Sequence, residues 1–213
     1  MCWRGAAAAP GPRRLIRGRA LNVVPSELNG SAWPRFRGEA GRNRNRWPFQ
    51  LLYVWFALDH GRRRVLSFDV TSSPTARWVS RQLREAFSDA PHRFLIYDND
   101  AIFSSAITQV IESLGLHPQR TALQSPWQNG TAERFVGTVR RELLDHVVVL
   151  NEAHLKRLLG EYIEYYNAER VHGSIADAPQ GRAPEAKPYR SARIARLPRV
   201  GGLHGRYVWR EAA

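Results

Sequence analysis

The sequence predicts an α/β domain in which a mixed β-sheet is flanked by helices. Two apolar segments, 50–58 and 63–71, are separated by the turn Asp59-His60-Gly61 and predict an antiparallel hairpin. Strand-like and helix-like segments then alternate, which is the order expected when helices cover the faces of a sheet. Hydrophobic residues make up 43% of the 213 residues, so the chain can bury a core.

The elements after the hairpin follow from helical spacing and from turn residues. Pro74 begins a helix with apolar positions at helical spacing, and Pro91 ends it. A short buried strand at 93–97 precedes a helix over 101–114, which Gly115 is placed to terminate. The remaining segments are predicted as a strand at 116–120, a loop at 124–130, and helices at 131–145 and 151–168.

The chain is predicted to have three parts. Residues 1–48 are rich in Arg, Gly, Pro and Ala and lack sustained periodicity, so we expect much of this segment to be loop or disorder. Two interpretations of this segment stay open: a basic DNA-binding arm, or poorly adapted sequence from a shifted frame or an arbitrary start. Residues 49–175 form the core, and residues 176–213 form a tail with a short strand or hairpin over 201–209.

The net charge of +13 indicates a polyanionic partner. Lys and Arg total 32 against 19 Asp and Glu, and neutralising phosphates with such cations releases condensed counterions. Nucleic acid is the first candidate partner, and an anionic membrane surface is the second. Only Lys156 and Lys187 are lysines. Arginine suits bidentate phosphate contacts, although GC-rich coding also produces Arg-rich chains.

Other compositional features narrow the class of protein. Cys2 is the only cysteine, so the sequence offers neither an internal disulfide nor a cysteine metal cluster. The longest apolar run, Leu51 to Leu58, is too short to span a bilayer. The segment after Arg4 lacks the apolar region of a secretory signal. We therefore expect an intracellular protein.

Two carboxylates lie where phosphodiester chemistry needs them. Asp98 directly follows the apolar strand at 93–97, and Glu133 lies in the first turn of a later helix. Hard ions such as Mg²⁺ bind carboxylates held on rigid elements, and two ions about 4 Å apart serve both ends of an in-line displacement. A second interpretation stays open, in which Asp98 is a turn residue and Glu133 favours the helix N-terminus.

Three segments resemble the integrase core of bacterial insertion-sequence transposases. They are FLIYDNDAIF at 94–103, QSPWQNGTAERFVGTVRRELLDHVVVLNEAHL at 124–155, and YIEYYNAERVHGSI at 162–175. This family includes the retroviral integrases and has a ribonuclease-H-like fold. The resemblance covers about residues 49–175, and the tail GGLHGRYVWREAA is in keeping with it.

The resemblance implies an Asp-Asp-Glu triad that binds two Mg²⁺ or Mn²⁺ ions. Asp98 matches the second Asp of this triad, and Glu133 matches the Glu. Asn129 is expected to shape the loop before the Glu helix or to contact DNA. The residues expected to bind DNA are Gln128, Asn129, Arg134, Arg140 and Arg141.

The first Asp of the triad has no evident match. In the family it lies in a strand before the hairpin, which corresponds to a position near 40, where Glu39 is the nearest carboxylate. We therefore expect the first strand of the fold to be missing or replaced. Asp59, in the hairpin turn, and Asp69, in the second hairpin strand, are the other candidates. Losing one ligand normally destroys a preorganised metal site.

The resemblance implies a function in DNA transposition and DNA integration, by metal-dependent phosphodiester cleavage and strand transfer. DNA is the expected partner, together with a second copy of the chain or a full-length transposase, and no membrane partner is expected. Because the first Asp has no match, enzymatic activity stays open. The alternative is a catalytically inactive, truncated transposase remnant that binds DNA or a full-length partner. A ribonuclease-H-like repair nuclease is a third class.

Overall fold

The computed structural model of the chain describes six stretches of residues. These are 20–27, 52–87, 92–98, 102–122, 126–181 and 185–211. Within them, only the backbone is described for 20–27 and for residues 126 and 127.

Five strands form a mixed sheet in the order β3-β2-β1-β4-β5. The strands are β1 (Ala20–Glu27), β2 (Tyr53–Asp59), β3 (Val65–Thr71), β4 (Phe94–Tyr97) and β5 (His117–Arg120). β2 is antiparallel to both β1 and β3, whereas β4 is parallel to β1 and to β5. The predicted hairpin and the predicted mixed sheet are confirmed.

Four helices cover the two faces of this sheet. They are α1 (Ala76–Phe87), α2 (Ser105–Ser113), α3 (Gly130–Glu142) and α4 (Glu152–Ala168). A 3-10 turn, Pro126–Asn129, leads into α3. α1, α2 and α4 lie within the ranges that the sequence predicts, and α3 begins one residue before its predicted range of 131–145, so helical spacing identified all four.

The alternation of side chains along β2 determines which helices pack on which face. Trp55 and Ala57 belong to the core cluster shared with α1 and α2. Val54, Phe56 and Leu58 belong to the cluster shared with α3 and α4. All five side chains are fully buried, which explains why β2 is a continuous apolar run rather than an alternating one.

β1 corrects one expectation of the sequence analysis. The prediction that the first strand is missing is wrong, because Ala20–Glu27 form β1 at the centre of the sheet. These eight residues belong to the 1–48 segment, much of which the sequence predicts to be loop or disorder; the rest of that segment, including Glu39, lies outside the described residues, so that prediction stays a prediction. Pro25 disfavours a central strand because it cannot donate to the ladder. It lies past Val23, the last β1 residue paired with β4, and so borders β2 alone.

The C-terminal tail forms a hairpin that begins earlier than the sequence indicates. Its strands are β6 (Arg193–Arg199) and β7 (His204–Arg210), in antiparallel register. The hairpin is docked on the core, because the His204 ring stacks on Tyr165 with a centroid separation of 4.5 Å. The Nε2 atom of His204 also lies 2.8 Å from the backbone oxygen of Glu142.

Among the described residues, no helix combines the length and the apolar character needed to cross a membrane.

A buried amide joins α4 to the edge strand β3. Asn167 is 6% exposed, and its Nδ2 donates to the Val65 backbone oxygen at 2.9 Å. Its Oδ1 accepts from the Val65 backbone N–H, also at 2.9 Å. One side chain therefore satisfies both polar backbone groups of a buried residue on an edge strand, where the next strand of the sheet would otherwise do so.

We expect Asn167→Ala to lower the free energy of unfolding by about 2–4 kcal/mol, because it removes two hydrogen bonds and leaves two buried groups unsatisfied. Urea denaturation measures the change. The matched control is Gln109→Ala, which removes an exposed amide from α2 and should change stability by less than about 0.5 kcal/mol. Equal effects of the two variants would contradict the role assigned to Asn167.

Candidate active site

Asp98 is held at the carboxyl end of β4 by a hydrogen bond from the start of α3. It is the residue directly after Tyr97, the last residue of β4, and it is half-buried. The Nδ2 atom of Asn129 donates to Asp98 Oδ1 at 2.8 Å. Two segments that are distant in the sequence therefore meet at one rim of the sheet.

Asn129 supports Asp98 instead of capping its own helix. It is the cap residue of α3, yet its side chain forms no capping hydrogen bond. It is 1% exposed, and its Oδ1 atom has no hydrogen-bond partner among the described residues. Of the two roles that the sequence left open for Asn129, this burial favours shaping the site and disagrees with direct contact to DNA.

Glu133 lies on the same side of α3 as Asn129, one helical turn further along. Partial burial raises its pKa above the ordinary value, and the negative charge of Asp98 raises it further. Asp98 and Glu133 are therefore close enough to repel each other. Because Glu133 is exposed to solvent, the pair is open to a ligand from one side.

A pair of carboxylates in this arrangement is suited to a cation. Bringing two negative charges together costs free energy. A divalent cation bound between the two carboxylates would offset this repulsion, because hard cations prefer oxygen ligands. The described residues do not complete such a site, since no group of three His, Cys, Asp or Glu among them could hold a metal ion. Two of the three carboxylates implied by the resemblance are thus brought together.

Neither hairpin carboxylate takes the third position. Asp59 terminates β2, where its Oδ1 accepts from the backbone N–H of Gly61 at 2.8 Å and of Arg62 at 3.2 Å. Asp69 forms an ion pair with Lys156 at 2.6 Å and accepts from Gln82 at 2.9 Å. Both carboxylates have structural contacts that account for them.

The register of β1 identifies the position in the sheet nearest to Asp98. The parallel pairing of β1 with β4 runs up to Val23 opposite Tyr97. The next step of the same register brings position 24 alongside Asp98. Val24 also pairs with Phe56 of β2, and directly paired residues share a face of the sheet. Position 24 therefore shares the face that Phe56 presents to α3.

β1 does contain one carboxylate, Glu27, but it lies three residues after position 24. Glu27 is the only acidic residue of the strand, and it pairs with Tyr53 at the far end of the β2 register. Because faces alternate along a strand, position 27 is on the opposite face from position 24. The sequence thus has valine at the β1 position that the β1–β4 register, continued one step past Val23 and Tyr97, would bring next to Asp98.

The other residues expected to bind DNA are all on or next to α3. Gln128 is exposed, and its Oε1 accepts from the Ala122 backbone N–H at 2.7 Å. Arg140 is exposed and lies 3.7 Å from Asp145. Arg134 and Arg141 line a cavity on another face of the helix. The structure therefore places these side chains around α3 without bringing all of them to the carboxylates.

A network that the sequence analysis missed fixes the far end of α3. The Arg170 Nε atom donates to Glu142 Oε2 at 2.9 Å, and Tyr162 donates to the same oxygen at 2.8 Å. These hydrogen bonds lower the pKa of Glu142 despite its partial burial. The sequence contains no local signal for this network, because its three residues come from α3, from α4 and from the segment after α4.

Comparisons of sequence agree with this geometry. Residues 114–179 match the family model described as integrase core domain. Transposase InsD of insertion element IS2E from Escherichia coli K12 is 29% identical, over 76% of this chain and 86% of that protein. Transposase InsD of the IS2A/D/F/H/I/K elements of Escherichia coli is also 29% identical, and the match spans 62% of its length.

Comparisons of structure agree as well. A chain of the simian T-cell lymphotropic virus intasome, solved in complex with the regulatory subunit B56 gamma of PP2A, superposes with a TM-score of 0.55 at 16% identity, covering 90% of this chain and 66% of that chain. The catalytic core domain of BIV integrase superposes with a TM-score of 0.52 at 16% identity, covering 76% and 90%. The predicted ribonuclease-H-like fold is confirmed, and the chain is similar in sequence to the integrase core domain and to insertion-element transposases.

Proposed function

We propose that this chain is a transposase core that acts on DNA by metal-dependent phosphodiester cleavage and strand transfer. The observation that carries the proposal is the pair Asp98 and Glu133, which is held at the rim of the sheet by Asn129. Such a pair supplies hard oxygen ligands on two rigid elements, which is what a divalent ion in phosphoryl chemistry requires.

The ion in this proposal is Mg²⁺ or Mn²⁺, bound by Asp98 and Glu133. When bound, it would activate an oxygen nucleophile and stabilise the leaving oxygen. The two carboxylates are sufficient for part of one coordination sphere. A two-ion site needs further ligands, which the described residues do not provide near this pair.

The missing ligand favours a second candidate function. With valine at position 24 of β1, the chain would be an inactive transposase relative that binds DNA or a complete transposase without cutting. Assembly with a second copy or with a full-length transposase belongs to either proposal, because another chain could supply what this site lacks. Since DNA is the partner in both, we place the protein in the cytoplasm on the nucleoid.

The stability of Glu133→Gln tests the metal site directly. The pKa of Glu133 is raised above 4.5, so its charged form destabilises the fold once the pH exceeds 4.5. Without divalent ions, we expect the variant to be more stable than the wild type at neutral pH and equally stable below pH 4.5, where the carboxyl group is protonated in both states. Urea denaturation in EDTA measures this difference.

Saturating Mn²⁺ should reverse that order. A ligand at one hundred times its Kd stabilises the wild type by about 2.7 kcal/mol, and the variant should gain much less. Glu112→Gln, which changes an exposed carboxylate on α2, is the control and should respond to Mn²⁺ as the wild type does. A variant that is less stable than the wild type in EDTA would contradict the repulsion described above.

Strand cleavage separates the two candidate functions. We expect the wild-type chain to nick a labelled duplex carrying insertion-element ends in Mn²⁺, and Asp98→Asn to reduce the rate by at least about a hundredfold because a metal ligand is lost. Glu112→Gln serves again as the control. No cleavage by the wild type would support the inactive alternative, and cleavage that persists in Asp98→Asn would refute the assignment of Asp98.

A third carboxylate placed by the β1 register should strengthen the metal site. We expect Val24→Asp to increase Mn²⁺ affinity about tenfold or more, because an additional charged ligand next to Asp98 lowers the Kd. Calorimetric titration measures the affinity. Val23→Asp, on the other face of the same strand, is the matched control and should bring no gain. Equal affinities in the two variants would show that the register does not identify the missing ligand position.

A further inference from the structure

A cavity of about 180 Å³ is lined by one face of α3 together with residues of other elements. Its polar lining, which we call the α3 arginine pocket, consists of Arg63, Thr131, Arg134, Thr138, Arg141 and His172. Tyr166 and Phe135 form its apolar floor. The pocket is separate from the carboxylate pair, since neither Asp98 nor Glu133 is among its lining residues.

The helical residues of the pocket form one stripe along α3. Thr131, Arg134, Thr138 and Arg141 follow one another at spacings of three and four, so their side chains lie on one face of the helix. Glu133 is on the neighbouring face. A ligand in the pocket would therefore lie against the same helix that carries the carboxylate, one face away.

Arg63 joins the stripe from the β2–β3 turn. Its φ is +60°, a left-handed conformation that costs a residue with a Cβ about 1–3 kcal/mol. A glycine at this position would form the turn without that cost. Local turn formation therefore does not account for the arginine, whereas a third guanidinium group in the pocket does.

The pocket has a large excess of positive charge. Among the described residues, no carboxylate is within ion-pair distance of Arg63, Arg134 or Arg141, whereas Arg140 and Arg170 each have such a partner. Burial, with Arg170 and Arg63 adding to it, lowers the pKa of His172 to about 4; Glu142 opposes this shift. The three guanidinium groups supply donors alone, which suits an anion rich in oxygen acceptors, whereas the Thr138 hydroxyl already donates to the Arg134 backbone oxygen at 2.8 Å.

We propose that the α3 arginine pocket binds a non-reacting backbone phosphate of the DNA, held by Arg63, Arg134 and Arg141. The inference rests on the proposed function for the identity of the DNA, but the anion chemistry of the pocket stands by itself. A phosphate held there would fix the position of the duplex relative to α3, and so relative to Glu133.

Duplex binding to the full chain in EDTA tests the proposal without involving the metal site. Fluorescence anisotropy of a labelled duplex is followed from about 50 to about 200 mM salt. Arg63→Gly and Arg141→Gln should each weaken binding about five- to tenfold and reduce the salt slope by about one. Arg63→Gly removes an unfavourable φ, so the loss of affinity cannot be attributed to unfolding.

The matched control is Arg77→Gln. Arg77 is exposed on α1, which packs on the opposite face of the sheet from α3, and its replacement changes the net charge by the same amount. We expect less than about a twofold effect on duplex binding. If the pocket variants weaken binding no more than Arg77→Gln, general electrostatic attraction explains the affinity and the proposal is overturned.

A second measurement distinguishes failure of the pocket from failure of the proposed function. The His172 ring is titrated by NMR in inorganic phosphate and in chloride at equal ionic strength. A bound anion should raise the pKa of His172 from about 4, and Arg63→Gly should abolish the rise. If the wild type binds no duplex, the DNA function fails, and this titration still decides whether the pocket binds phosphate. An unchanged pKa overturns the pocket in either case.

Discussion

The candidate site depends on a single contact, the hydrogen bond from Asn129 to Asp98. It connects the end of β4 to the start of α3 and thereby fixes where Glu133 lies. The contact has a cost, because α3 loses the side-chain cap that an Asn at this position normally supplies, which is worth about 1 kcal/mol. The buried Oδ1 of Asn129 also has no partner among the described residues. The helix is thus less stable locally than its sequence allows, in exchange for a fixed carboxylate.

α3 combines three tasks on three faces. Its buried face, with Phe135 and Val139, packs against the sheet and holds the helix in place. Its second face carries Glu133 towards Asp98, and its third face carries the arginine stripe of the pocket. Because Arg170 and Tyr162 fix Glu142 at the far end, both ends of the helix are attached to other elements. Rigid attachment at both ends gives the two functional faces a constant geometry relative to each other.

The periodicity of apolar residues is sufficient to predict the elements in which that pattern is long or regular. The hairpin and the four helices each carry enough apolar positions to be recognised. β1 was not recognised, because its few apolar residues, Leu21, Val23 and Val24, are interrupted by Asn22 and followed by a proline. The resemblance placed Asp98 and Glu133, but the support of Asp98 by Asn129 is a contact between distant segments. The pocket was missed for the same reason, since Arg63 comes from a turn that contains no signal for it.

The fold itself does not need the negative charges of Asp98 and Glu133. An asparagine in place of Asp98 has the same shape and would remove the repulsion that raises the pKa of Glu133. Core packing likewise gains nothing from Glu133, which is exposed. A chain under no demand except folding would therefore gain stability by losing either charge. Under the proposed function a cationic ligand explains the pair, and under the proposal for the α3 arginine pocket an anionic ligand explains the strained Arg63, which lies beside guanidinium groups with no carboxylate at ion-pair distance among the described residues. Metal and phosphate together are the two components of a phosphodiester site.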